Sequence, residues 1–166
     1  MSHQQVDPRG QQFAAAITSV VLVAVLLTAP STLGVLLLTA QAALFAIAVV
    51  RGVTRTPVAA LFRSVVRPRL GPPAHLEDPE PPRFAQAVGL VFALVGLLGF
   101  VSGVTWLGYV ATGFALVAAL LNATIGLCLG CEAYLLGRRA FGAVSTTSPS
   151  NQYTATETRT MNGSTP

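Results

Sequence analysis

Four stretches without a charged residue, at 13–29, 33–50, 84–101 and 106–126, decide what this chain can become. Each is about the 17 to 20 residues that carry an α-helix across a ~30 Å hydrocarbon layer. Inside such a layer every backbone amide needs a partner within its own segment, so runs of this kind are helices. The breaks at 30–32 and 102–105 are short and uncharged, which makes them hairpin turns. The expected fold class is therefore all-α and integral to a membrane, with four transmembrane helices in two hairpins. Composition agrees, because 10% charged residues is well below the roughly 25% of soluble domains.

Between and around the spans the chain is polar. Residues 1–12 end in Asp7-Pro8-Arg9-Gly10, which reads as a turn. The first span has a basic flank and a small-residue exit at Leu27-Thr28-Ala29, both features of a cleaved leader, but a second span follows at once and argues that it is kept. Thr56-Pro57 is a helix start, a capping hydroxyl before proline at the first helical position. From there Val58, Leu61, Phe62, Val65 and Val66 recur on one helical face while Arg63 and Arg67 fall on another. Such a helix either lies in the membrane interface with its arginines toward lipid phosphates or packs on the bundle. Residues 68–82 are proline-rich, carry His75, Glu77, Asp78 and Glu80, and are expected to be an extended linker. Trp106 and Tyr109 sit where an aromatic belt belongs. Gly99 with Gly103, and Gly126 with Gly130, have the G-x-x-x-G spacing of close helix contacts. Residues 1–144 are assigned to the membrane domain, and 145–166, rich in serine, threonine, asparagine and proline, to a disordered tail.

A shift of 71 residues lays Asp7-Pro8 on Asp78-Pro79, Phe13-Ala14 on Phe84-Ala85, Val20 on Val91 and Leu26-Leu27 on Leu97-Leu98. This suggests a duplicated hairpin, with one copy at about 7–70 and the other at about 78–141, in the same orientation. The shift also sets Pro57 on Cys128, so a new helix is expected to begin near Cys128 once Gly126 has ended the fourth span.

The basic residues, all arginine, flank the same side of every span: Arg9, then Arg51 to Arg83, then Arg138 and Arg139. The positive-inside rule puts that side, and both termini, in the cytoplasm of a bacterial plasma membrane. The formal charge of +4 is accordingly a membrane signal, with Arg63, Arg67, Arg138 and Arg139 as lipid-headgroup or anion contacts, and no nucleic-acid partner is expected.

Chemistry points to residues 122–139, which hold both cysteines of the protein, Cys128 and Cys131, followed by Glu132. On a helix the pair shares a face with Thr124 and Glu132. One reading is a thiol pair in which Cys128 attacks, Cys131 resolves and Glu132 relays a proton. Another is that the cysteines are small packing residues and Glu132 an interfacial carboxylate. A third is a metal site, for which one chain offers only Cys128, Cys131, Glu132 and distant His75, so that a homodimer would be needed to gather four sulfurs. No cofactor is expected. The chain has no lysine, no helical His-Glu-x-x-His and no converging serine, histidine and acid. Ion transport is also unsupported, because only Gln41, Gln86, Asn122 and some hydroxyls are polar within the spans.

Several motifs carry a resemblance: Asp7-Pro8-Arg9, Arg67-Pro68-Arg69-Leu70-Gly71-Pro72, Pro82-Arg83-Phe84-Ala85-Gln86, and Leu121-Asn122-Ala123 ahead of Cys128-Leu-Gly-Cys131-Glu132-x-Tyr134. With these the chain resembles, from about Val6 to Arg139, an uncharacterised actinobacterial membrane family, domain of unknown function 4395. The resemblance implies no established activity. It does imply genes encoded near those of soluble thioredoxin-like and sulfurtransferase proteins, and so a membrane partner in thiol or sulfane-sulfur traffic acting through Cys128 and Cys131. Four-helix thiol oxidoreductases that reduce quinones are a looser likeness; they work at the outer face with further cysteines, so the likeness implies no quinone chemistry. A rival expectation of another class is a non-catalytic scaffold that oligomerises through its glycine-lined helices and recruits a soluble partner by its linker.

Overall fold

The computed structural model describes residues 6–70 and 78–142, with side chains described to Ala140 in the last helix. The elements are α1 (Pro8–Thr28), α2 (Thr32–Arg51), a 3₁₀ turn Val53–Arg55, α3 (Pro57–Leu61), a π-helical turn Phe62–Val66, α4 (Arg67–Leu70), α5 (Glu80–Val101), α6 (Thr105–Ile125) and α7 (Leu129–Gly142). The four long helices α1, α2, α5 and α6 are the expected spans, each long and apolar enough to cross a membrane.

Two helices begin earlier than expected, for the same reason. Asp7-Pro8 is not a free turn: the Asp7 carboxylate accepts the Arg9 N–H at 3.0 Å, and Pro8 is the first residue of α1. Proline costs nothing there because that N–H has no helical partner anyway. Likewise Asp78 accepts the Glu80 N–H at 3.2 Å, and α5 starts at Glu80 with Pro81 and Pro82 in its first turn. The linker expected over 68–82 is therefore helical at both ends, in α4 and α5. Its middle, with His75 and Glu77, and the tail at 145–166 lie outside the described residues.

α1 packs on α2 and α6, and α5 packs on the same two helices, so the four form a ring. Tyr109 donates to the Ala29 carbonyl at 2.6 Å and joins the two hairpin turns. At the other end the Arg83 guanidinium donates to the Val49 carbonyl at 2.6 Å, and Arg9 to the Leu70 carbonyl at 3.3 Å. These arginines satisfy carbonyls left open where helices end, besides any part they play in topology. Leu22, Val25, Leu38, Ala42, Phe45, Ala93, Phe100 and Ala115 fill the centre of the ring. Outside it, Leu27 is 80% and Val20 71% exposed. Helices apolar on both faces are stable only where the surroundings are apolar too.

Close approach depends on glycine, though not in the expected pattern. A Cβ on Gly96 would meet Thr112 Oγ1 at 3.0 Å, one on Gly108 would meet the Phe100 ring at 2.6 Å, and Gly99 lies on the Gly108 backbone. Gly103 takes no part in a helix contact; its φ of 81° makes it the turn residue between α5 and α6. The expected G-x-x-x-G stripe at 99 and 103 is thus a contact inside the hairpin plus a turn.

The amphipathic segment after Thr56 is anchored to the bundle. The Thr56 hydroxyl accepts the Ala59 N–H at 3.1 Å, as its capping role requires. Phe62 is 4% exposed, lies over Gly10 and is 5.7 Å from the Phe13 ring of α1. The π turn widens the helix at Phe62, so Val58, Phe62 and Val66 face inward while Leu61 and Val65 are exposed. The apolar face is accordingly split between the bundle and the surroundings.

A glycine contact test follows. Gly99→Ala is expected to destabilise the hairpin by roughly 1–3 kcal/mol, because its Cβ meets backbone that cannot move aside. Gly113→Ala, which meets nothing within 4 Å, is expected to be neutral or slightly stabilising. Thermal unfolding of both variants in one detergent measures the difference, and equal midpoints would contradict the packing.

Candidate functional site

The dithiol segment is built by a helix that stops and another that starts. Gly126 adopts the left-handed conformation at φ 71° and ends α6. Its N–H bonds back to the Asn122 carbonyl at 3.1 Å, the single closing bond of an αL end, and the Leu127 N–H reaches the Leu121 carbonyl at 3.3 Å. Two residues later the Glu132 N–H bonds to the Cys128 carbonyl at 3.0 Å and α7 is under way. Gly126 and Gly130 therefore belong to different elements, and the expected second glycine stripe is replaced by this junction. Thr124 stays on α6, bonded to the Leu120 carbonyl at 2.7 Å, so it shares no helical face with the cysteines.

Cys128 occupies the cap position of α7. Its sulfur accepts the Cys131 N–H at 3.4 Å, where serine or aspartate would normally offer oxygen. The Cα atoms of Cys128 and Cys131 are 5.2 Å apart, within the usual range for a disulfide, and their sulfurs are at disulfide distance. Both residues are half-buried and Glu132 is exposed. A new helix beginning near Cys128 was the expectation; the structure moves its cap by one position, so that Cys128 matches Thr56 rather than Pro57.

Three contacts that the sequence did not reveal dock the start of α7 on α5. Gly130, between the cysteines, lies so close to Ala85 that a Cβ would be 2.6 Å from its Cα. The Tyr134 hydroxyl donates to the Glu80 carboxylate at 2.7 Å, and the Tyr134 and Phe84 rings are 5.6 Å apart. Tyr134 stands three residues after Cys131, so its place in the motif was the available signal.

Two cavities adjoin these elements. One, of about 260 Å³, has Cys128, Leu129 and Gly130 in its wall with Gln86, Asn122 and Phe92. The other, of about 220 Å³, has Asp7, Arg63 and Arg67 in its lining together with Thr18, Gln41 and Phe62. Gln41 is 2% exposed; its amide donates to Thr18 Oγ1 at 3.3 Å. Arg63 also donates to the Thr54 carbonyl at 2.9 Å, which steadies the 3₁₀ turn. Arg138 and Arg139 are exposed and belong to a second compact unit that begins at Gly137. Among the described residues no group of three or more histidine, cysteine or acidic side chains could hold a metal ion, and His75 is outside them.

Residues 6–139 match the family model described as domain of unknown function (DUF4395), and the chain belongs to that family. No curated protein and no solved structure gives a significant match.

The docking of α7 generates a size-exchange test. Gly130→Ala is expected to lower stability by roughly 1–3 kcal/mol through overpacking against α5. Adding Ala85→Gly should restore part of the loss, since it removes the clash with the Ala85 methyl while the Cα of residue 85 stays in place. Unfolding midpoints of the two single variants and the double variant give the coupling, and purely additive losses would rule out the contact.

Proposed function

We propose that this membrane protein is a thiol relay in which Cys128 and Cys131 exchange electrons with a soluble thioredoxin-like protein or accept sulfane sulfur from a sulfurtransferase. The observation that carries this reading is the Cys128 sulfur in the cap position of α7, with its partner sulfur at disulfide distance. Free N–H groups and the positive end of a helix favour the thiolate, the nucleophilic form. Cys128 attacks one sulfur of the partner's disulfide, forming a mixed disulfide and releasing the other sulfur as a thiolate. Cys131 then attacks Cys128, the partner's second thiolate leaves, and the pair ends oxidised while the partner ends reduced. With a persulfide donor, Cys128 takes the outer sulfur and Cys131 displaces it as hydrosulfide, again leaving the disulfide. Glu132, exposed one residue beyond Cys131, takes up or supplies the proton.

The same reading assigns the arginine-bearing end of the bundle to the cytoplasmic face of a bacterial plasma membrane, with Arg63, Arg67, Arg138 and Arg139 toward phosphate headgroups. The recurrence of one Asp-to-N–H bond 71 residues apart, at Asp7 and at Asp78, supports descent from a duplicated hairpin.

The test uses full-length protein in oriented vesicles. Reduced Cys128 is expected to react with an impermeant thiol reagent from the cytoplasmic side, with an apparent pKa below the ~8.5 of free cysteine. Cys131→Ser should trap a mixed disulfide with a thioredoxin-like protein, and Cys128→Ser should not. An unshifted pKa together with no trapped species would defeat the relay; labelling only from the outer face would reverse the topology.

A further inference from the structure

We propose that the cavity bearing Arg63 and Arg67 binds an elongated organic anion, with a phosphate or carboxylate at one end, an apolar middle and a hydroxyl at the other end. Neither cysteine lines this cavity, and the site is separate from the thiol relay.

Its shape comes from the helices around it. The lining includes Asp7 and Val53, beside the ends of α1 and α2, and also Thr18 and Gln41. Thr18 lies ten residues after the first residue of α1, and Gln41 ten before the last residue of α2. At 1.5 Å of rise per residue the cavity reaches about 15 Å into the bundle. A volume of about 220 Å³ spread over that depth leaves a narrow shaft, which admits a slender chain and refuses a bulky headgroup. Apart from Phe45 and Phe62, most of the wall is alanine, valine, leucine and isoleucine, so the middle of the ligand is apolar.

The two ends differ. Arg63 donates to the Thr54 carbonyl, just past α2, which places the charged end there. The lining holds two arginines against one carboxylate, and Asp7 is engaged in capping α1 through the Arg9 N–H. The excess charge is positive, and guanidinium groups bind phosphate or carboxylate through paired N–H groups. At the other end Gln41 is 2% exposed, its Nε2 donates to Thr18 Oγ1, and its Oε1 has no partner among the described residues. An unmet amide oxygen in an apolar interior is costly, and a ligand that bonds it removes the cost. Turning the amide over only moves the unmet valence to its nitrogen. A hydroxyl, both donor and acceptor, serves either way, whereas the methyl end of an ordinary acyl chain serves neither.

The hollow is also repeated. The 71-residue shift lays Ala14, Ala48 and Ala59 of this lining on Ala85, Ala119 and Gly130 of the cavity beside Cys128. Both hairpins keep small residues at the same places, and the two cavities differ in the chemistry added to them.

The experiment uses full-length protein in phosphatidylcholine nanodiscs and two soluble probes of equal length, an ω-hydroxyalkyl phosphate and the corresponding n-alkyl phosphate. A chain of about eight carbons matches the ~15 Å depth less the reach of an arginine. Saturable binding of one probe per chain is expected, about tenfold tighter for the hydroxyl probe, as one buried hydrogen bond provides. Gln41→Leu should abolish that preference by weakening the hydroxyl probe alone. Arg67→Gln should weaken both probes alike, by about fivefold. The preference is a ratio within one preparation, so a loss of folded protein does not imitate its disappearance. Absent binding, a wild-type preference for the methyl-ended probe, a preference that survives Gln41→Leu, or indifference to Arg67→Gln overturns the site. So does displacement of the probe when phosphatidylglycerol replaces part of the lipid, which would give these arginines to lipid headgroups. None of these outcomes touches the cysteines, so the thiol relay stands or falls separately.

Discussion

A backbone amide in hydrocarbon must have a partner, and that demand organises this protein more than any single packed residue. It makes each apolar run a helix, and it governs how those helices stop. The end of α6 is closed by Gly126, whose left-handed conformation turns the last N–H groups back on Asn122 and Leu121. The start of α7 then presents fresh N–H groups a few residues away, and the sulfur of Cys128 is what meets one of them. The cysteine pair is thus a product of helix termination, at a place where the chain leaves a long span and begins another helix within a few residues.

Packing follows from the same setting. Without a hydrophobic drive between helices in lipid, contact has to be won by close fit. Gly96, Gly99 and Gly108 supply it within the second hairpin, and Gly130 supplies it between α7 and α5. Glycine is absorbed here by contacts inside one chain, which weakens the case that these residues form an oligomer interface. Where larger and smaller side chains alternate less well, around Phe45 and the alanines of α6, the ring of helices retains space, and that space is bordered by amides.

Much of this was legible in the sequence because the signals are local. Span length, uncharged turns, Thr56-Pro57 and the stop at Gly126 each depend on neighbours within a few residues. The junction before Cys128 was legible by a longer route, the likeness between the two hairpins. The parts that were not legible depend on which helix lies beside which. Ala85 and Gly130 are unremarkable until α5 and α7 touch, and Gln11, Gln86 and Asn122 come from three helices to border one cavity. The π turn at Phe62–Val66 likewise undid a clean amphipathic pattern, because widening the helix changes which residues fall in line. Asp7-Pro8 was misread for a simpler reason: the residues that make a turn are also those that open a helix.

The hydrogen bond from Cys131 N–H to the Cys128 sulfur has a mechanical side. A cap that satisfies an open N–H of the first turn favours the helix that provides that N–H. In the structure that hydrogen bond and the sulfur–sulfur pairing occur together, so the first turn of α7 is held twice, once by the Cys131 amide and once across the two sulfurs. Because Tyr134 and Gly130 fasten the same turn to α5, the local stiffness that the two cysteines give this turn is passed to the end of the bundle.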